Sequence, residues 1–225
     1  QHVILNYIIG SFIAVLLVCM IFVFSTLNVA HYELLGLVKI VAFSSVIMIV
    51  CETIVFRMHL RPVHRFFQGN QETLKDVEAV YIRVHHLPNL SVLRIVGPHL
   101  LGFSIPAAVI ALWMIHTGQL TFPFYYVGIA CIGACLVASM HALVEFFLTM
   151  RAIKPLLEEI RDRTYQQYGL NLSLRGRVLL SLRHKFQLSA TLIGAFPLFL
   201  FCLATQIRLE RLEAAVPASL SGCIL

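Results

Sequence analysis

Glu52, His99, His141 and Glu145 are side chains able to hold or move a proton that stand inside apolar stretches of this sequence. An ionisable group within a membrane helix is costly and marks a candidate functional site. Glu52 stands ten residues before Pro62 and Glu145 ten before Pro155, and a basic residue, Arg61 or Lys154, directly precedes each proline. Each glutamate is five or six residues from the first basic residue that follows, Arg57 or Arg151, about 8 Å along a helix. Two readings follow. Each carboxylate pairs with Arg or Lys at the membrane interface, or the two share one depth around a central axis and together hold a proton or cation. His141 lies one helical turn before Glu145 on the same face, beside Ala130, Ala134, Ala138 and Ala142. A small-residue stripe permits close helix contact, so this face is expected to point into a bundle. A proton relay, a ligand contact and a satisfied buried histidine all remain open there.

His99 and His141 fall at depths differing by about one turn of 5.4 Å, the one pairing suited to haem b held between two histidines. No other cofactor and no metal site is expected. Of the six cysteines, five fall inside apolar stretches, and Cys131 and Cys135, one turn apart, lack a second pair to complete a zinc set. They read as small apolar filler. No nucleophile elbow, phosphate loop or other catalytic motif is present, so nothing in the chain supports an enzyme.

The elements that must position these residues are membrane helices. The chain of 225 residues is 59% hydrophobic and only 12% charged, half the charge of a globular domain at roughly 25%. About 20 apolar residues cross a bilayer as helix. Five stretches qualify: Val3 to Leu27, Leu34 to Phe56, Ile95 to Ile115, Tyr125 to Thr149 and Phe186 to Thr205. Gly10, Gly102 and Gly194 recur at a 92-residue spacing, and the Glu and Pro markers repeat at 93. A fixed period is the signature of a repeated unit, here a hairpin of two membrane helices followed by a basic linker. The expected fold is all-α, a multipass bundle of parallel two-helix repeats, with five helices and the start of a sixth. The repeats are placed at residues 1–88, 89–182 and 183–225. Arg208 to Glu213 is expected as an outer loop, and Ala214 to Leu225 as a sixth helix cut short.

Of 17 Lys and Arg, six lie between Arg57 and Arg94 and eight between Arg151 and Lys185, while the short connections Asn28 to Glu33 and His116 to Phe124 carry none. By the positive-inside rule both long linkers and the amino terminus are cytoplasmic. The net charge of +6 is thus a topology signal and not a nucleic-acid footprint. Lys39 is placed to snorkel to the near interface, and Trp113 with Phe122 to Tyr126 fits an outer aromatic belt. Pro98, Pro106 and Pro197 mark kinks.

Within the linkers, Val63, Phe66 and Phe67 precede a Gln68-Gly69-Asn70 break, after which Leu74, Val77, Val80, Tyr81 and Val84 share one helical face. Leu156, Leu157 and Ile160 similarly precede a break at Gly169. Each inward helix is expected to hand over to an amphipathic helix at a proline-marked joint. Arg57 to Val63 and Met150 to Leu157 resemble the start of a HAMP linker, the proline-started signal converter after the last membrane helix of many bacterial receptors. Six membrane helices with such joints resemble the membrane modules of some bacterial class III adenylyl cyclases, sensor kinases and diguanylate cyclases. The linkers here are shorter than a full HAMP domain and run back towards the membrane.

The resulting expectation is a sensor and transmission domain in a bacterial inner membrane, passing a bilayer or ligand signal through joints at Arg61, Pro62, Lys154 and Pro155. Its partners would be membrane lipids and an apolar small molecule, with no nucleic acid. The resemblance implies a homodimer. Two alternatives are a cytochrome b-like electron-carrying subunit using His99 and His141, and a transporter fragment using Glu52 and Glu145.

Overall fold

A computed structural model describes residues 31–69 and 73–172, with scattered positions between 186 and 209. The expected first span, the linker after Leu172, the start of a sixth helix and all of the expected loop Arg208 to Glu213 except Leu209, which is helical, lie outside the described residues, as does Gly10. The positions described between 186 and 209 are helical.

Among the described residues there is helix and loop and no strand. Helix α1 runs His31–Phe67, α2 Leu74–His85 and α3 Leu87–Arg94. A single π-helical turn, Ile95–His99, joins α3 to α4, Leu100–His116, and α5 runs Tyr125–Tyr168. Among the described residues three helical stretches are long and apolar enough to cross a membrane: Glu33–Phe67, Leu87–His116 and Tyr125–Tyr168. Much of their surface is apolar and outward, including Phe43, Val46, Ile49, Ile105 and Val109. That is the pattern of helices that face hydrocarbon rather than water.

Helix α1 packs along α4 and α5 packs along α3 and α2. The α1–α4 pair is antiparallel, as Gly36 lies against Met114 and Gly102 against Met48. A Cβ at Gly102 would sit 3.4 Å from the Met48 Cα, so the periodic glycine has a physical task in this copy: it lets two backbones approach closely. The loop end of this pair is closed by Ile40, Met114 and Leu120 and by Glu33, whose Oε1 accepts from the Thr121 backbone N–H at 2.7 Å and hydroxyl at 2.6 Å.

The opposite, linker end is a small helical layer with its own apolar core. Val63 and Phe66 of α1, Val77, Val80 and Val84 of α2, and Ile153 and Ile160 of α5 are buried together. The expected face of α2 is therefore the buried one. Thr73 caps this helix, its hydroxyl oxygen accepting from the Asp76 N–H. Helix α5 stops at Gly169, whose φ of 66° favours glycine.

Two expectations need correction here. No separate helix begins at Pro62 or Pro155: both prolines lie inside continuous helices of 37 and 44 residues. An interior proline forfeits one hydrogen bond at a cost of about 3 kcal/mol. Burial of Val63, Phe66, Ile153 and Ile160 beyond the prolines offsets that cost, since burying one such side chain contributes about 1.5–3 kcal/mol. The third apolar stretch also starts earlier than Ile95, because Leu87, Pro88 and Ser91 already belong to a buried helix with proline in its first turn.

Candidate functional site

The sequence places Glu52 on α1 and Glu145 on α5, and these two helices pack against other elements more than against each other. What joins them is Arg94, at the end of α3. Its Nε is 3.4 Å from Glu52 Oε1, and one terminal guanidinium nitrogen donates to Glu145 Oε1 at 3.2 Å. The guanidinium carbon, Cζ, also lies over the Phe56 ring, 4.7 Å from its centroid, a cation–π contact. Thr149, one turn beyond Glu145, donates to the same Oε1 at 3.4 Å. All three charged groups are buried, Glu52 to 1% exposure. Buried charges persist only when paired and hydrogen-bonded.

The second oxygen of Glu52 meets His99, with Nδ1 and Oε2 3.0 Å apart. His99 is five residues after Arg94. In a regular α-helix residues five apart point about 140° apart around the axis, so both could not reach Glu52. The π-helical turn resolves this: its wider winding brings position 99 back over position 94. Pro98 sits inside that turn, where it has no N–H to give to the Arg94 carbonyl and its ring would crowd that oxygen. The kink expected at Pro98 thus serves to aim two side chains at one carboxylate.

His141 completes the cluster. Its ring lies edge-on to His99, with centroids 5.1 Å apart. It is 6% exposed, and neither ring nitrogen has a hydrogen-bond partner among the described residues. Oε2 of Glu145 likewise has none among them. Ala138 and Ala142 are buried beside Ile95, while Ala130 is exposed, so the alanine stripe is an interior face only over its linker-side half. The two imidazoles touch directly, whereas bis-histidine haem ligation places the macrocycle between them. Among the described residues no group of three or more His, Cys, Asp or Glu is disposed to hold a metal ion.

The sequence-predicted candidates divide in two. Glu52, Glu145, His99 and His141 come together. Arg61, Pro62, Lys154 and Pro155 stand apart from them in the linker layer: Arg61, Lys154 and Pro155 are exposed and Pro62 is half-buried. Arg61 and Pro62 line a cavity of about 340 Å³ with Met58, Arg65, Asp76 and Val80. Neither of the two expected pairings for the glutamates occurs alone. The carboxylates do share a level, yet around an arginine and not facing each other bare. By position Arg94 belongs with the linker charges, at the border of an apolar run. Its signal in the sequence was the spacing Arg94–Pro98–His99, a cation and a titratable ring flanking a proline at a membrane-helix start.

Comparison of the chain with protein-family models, with curated proteins and with solved structures finds no match.

Proposed function

We propose that this chain is a multipass membrane module that transmits a change in a buried polar cluster to a helical layer at the cytoplasmic face, as part of a bacterial inner-membrane signalling receptor. The observation that carries the reading is the continuity of α1 and α5. Each passes as one helix from a membrane-length apolar stretch, through the level of Glu52 or Glu145, into the shared apolar core of the linker end. A continuous helix with a buried charge at one level and core residues two to four turns on couples the two levels mechanically. The concentration of 14 of the 17 Lys and Arg in the two linkers supports the orientation, with the linker layer cytoplasmic and the amino terminus inside. The repeated Gly, Glu and Pro markers support a parallel repeat of hairpins. Lipid contacts, an apolar ligand and a dimeric assembly belong to the same proposal.

Hydrogen–deuterium exchange of the full chain in lipid nanodiscs tests it. Glu145→Gln alters the cluster without touching the linker layer. Faster exchange of the α2 amides (Leu74–His85) in that variant is the expected result. Unchanged α2 exchange in a folded variant overturns the reading.

A further inference from the structure

The cluster is unbalanced in charge. Glu52 and Glu145 supply two carboxylates, and both are met by the single guanidinium of Arg94. From the other elements packed here, the π-helical turn adds His99 and α5 adds His141. On the linker side, His59 of α1 stands near Arg83 of α2 and Arg94, while among the described residues the charged groups nearest Glu145 are Arg94 and Glu52. With both imidazoles neutral, one negative charge of the cluster has no compensating charge among the described residues, an arrangement that low-dielectric surroundings penalise. One added proton makes the sum zero.

We propose that the Glu52–Arg94–Glu145 cluster is a buried site for one proton, held between His99 Nδ1 and Glu52 Oε2, with His141 as the adjoining acceptor. Building on the transmission reading, this names what the cluster senses: proton activity on the linker side. The proton comes from water, no heavy-atom bond forms or breaks and no electron moves; the cluster passes from one net negative charge to none. The geometry of each part fits. Nδ1 and Oε2 are at hydrogen-bonding distance, so a proton there is shared by an imidazolium and a carboxylate. His141 has two ring nitrogens without a hydrogen-bond partner among the described residues, in a ring that already abuts His99. That ring lies edge-on to His99 with both nitrogens unpartnered among the described residues, so one of them is open to accept a hydrogen bond.

The test is nitrogen-15 histidine resonance spectroscopy of the full chain in nanodiscs, with the His99 signal assigned through His99→Gln, together with infrared spectra of the carboxyl region. At neutral pH the expected result is either a doubly protonated His99 ring or a protonated-carboxyl band, and it is lost in Glu52→Gln. Glu145→Gln, which balances the charge without a proton, is expected to abolish the signal as well, so the proposal stays testable if one variant does not fold. Three results overturn it: a neutral His99 with no protonated-carboxyl band, a signal unchanged in both Glu→Gln variants, or a signal that follows sodium replacing choline rather than pH. A proton found without any change in α2 exchange keeps this site and removes the transmission reading. Altered α2 exchange with no proton does the reverse.

Discussion

Glu33 and Glu52 belong to the same helix and are buried almost equally, to 3% and 1% exposure, yet their surroundings differ in kind. They stand nineteen residues apart, about 28 Å along a helix, close to the roughly 30 Å of a bilayer's hydrocarbon core. Glu33, at the loop end, takes two short hydrogen bonds from one residue, Thr121. These two donors are a backbone N–H and a hydroxyl, neither of which titrates. Glu52, at the linker end, shares Arg94 with a second carboxylate and meets a histidine. The first arrangement is a clasp between α1 and the loop after α4. The second joins three elements through groups whose charge can change. A buried carboxylate is therefore no indicator of function by itself; what matters is whether its partners have one state or two.

The largest effect expected from this contrast is that of Arg94→Leu. It leaves two buried carboxylates without their shared cation, and breaking a buried pair by removing one partner costs about 3–5 kcal/mol. Denaturation of the purified chain in mixed micelles measures it; a loss no larger than that of Thr121→Val would erase the distinction between the two ends. Next is the pair Glu52→Gln and Glu145→Gln. Each single change leaves Arg94 one carboxylate, whereas the double change leaves it neither. The double variant should therefore lose more than the sum of the singles, with a coupling on the order of 0.5–3 kcal/mol. Additivity would show that Arg94 does not link the two glutamates energetically. The smallest effect belongs to the clasp. Thr121→Val removes one hydroxyl donor and keeps the backbone donor, so a loss of about 1.5–3 kcal/mol for a bond to a charged group is the ceiling, and no coupling to Glu145→Gln is expected. Measured coupling between those two sites would merge what the comparison separates.

How much of this was legible in the sequence depends on the range of each interaction. The buried face of α2, with Val77, Val80 and Val84, followed from helical periodicity, a local signal. The breaks at Gly69 and Gly169, both with positive φ, were equally local. Glu52 and Glu145 stood out because charge in an apolar run is conspicuous wherever it points. Their partner did not. Arg94 is 51 residues from Glu145, and its charge places it with the linker cations on any one-dimensional scale. The Glu33–Thr121 clasp spans 88 residues and was missed for the same reason. Pro98 announced a distortion, but that it would take the form of a widened turn aiming Arg94 and His99 together depends on the neighbour they aim at. Pro62 and Pro155 misled in the opposite sense: proline chemistry predicts a joint, and the apolar core beyond each one keeps the helix intact.

The central claim, that the buried cluster governs the linker end and not the loop end, is tested most directly by two distances in one protein. Spin labels at Arg65 and Arg161, both exposed, report the linker-end separation of α1 and α5; labels at Lys39 and Ala130, also exposed, report the loop-end separation of the same helices. With native cysteines replaced, both pairs are measured in nanodiscs with and without Glu145→Gln. A shifted distribution at Arg65–Arg161 and an unchanged one at Lys39–Ala130 are expected. An unchanged linker-end distribution, or an equal shift at both ends, would contradict the claim.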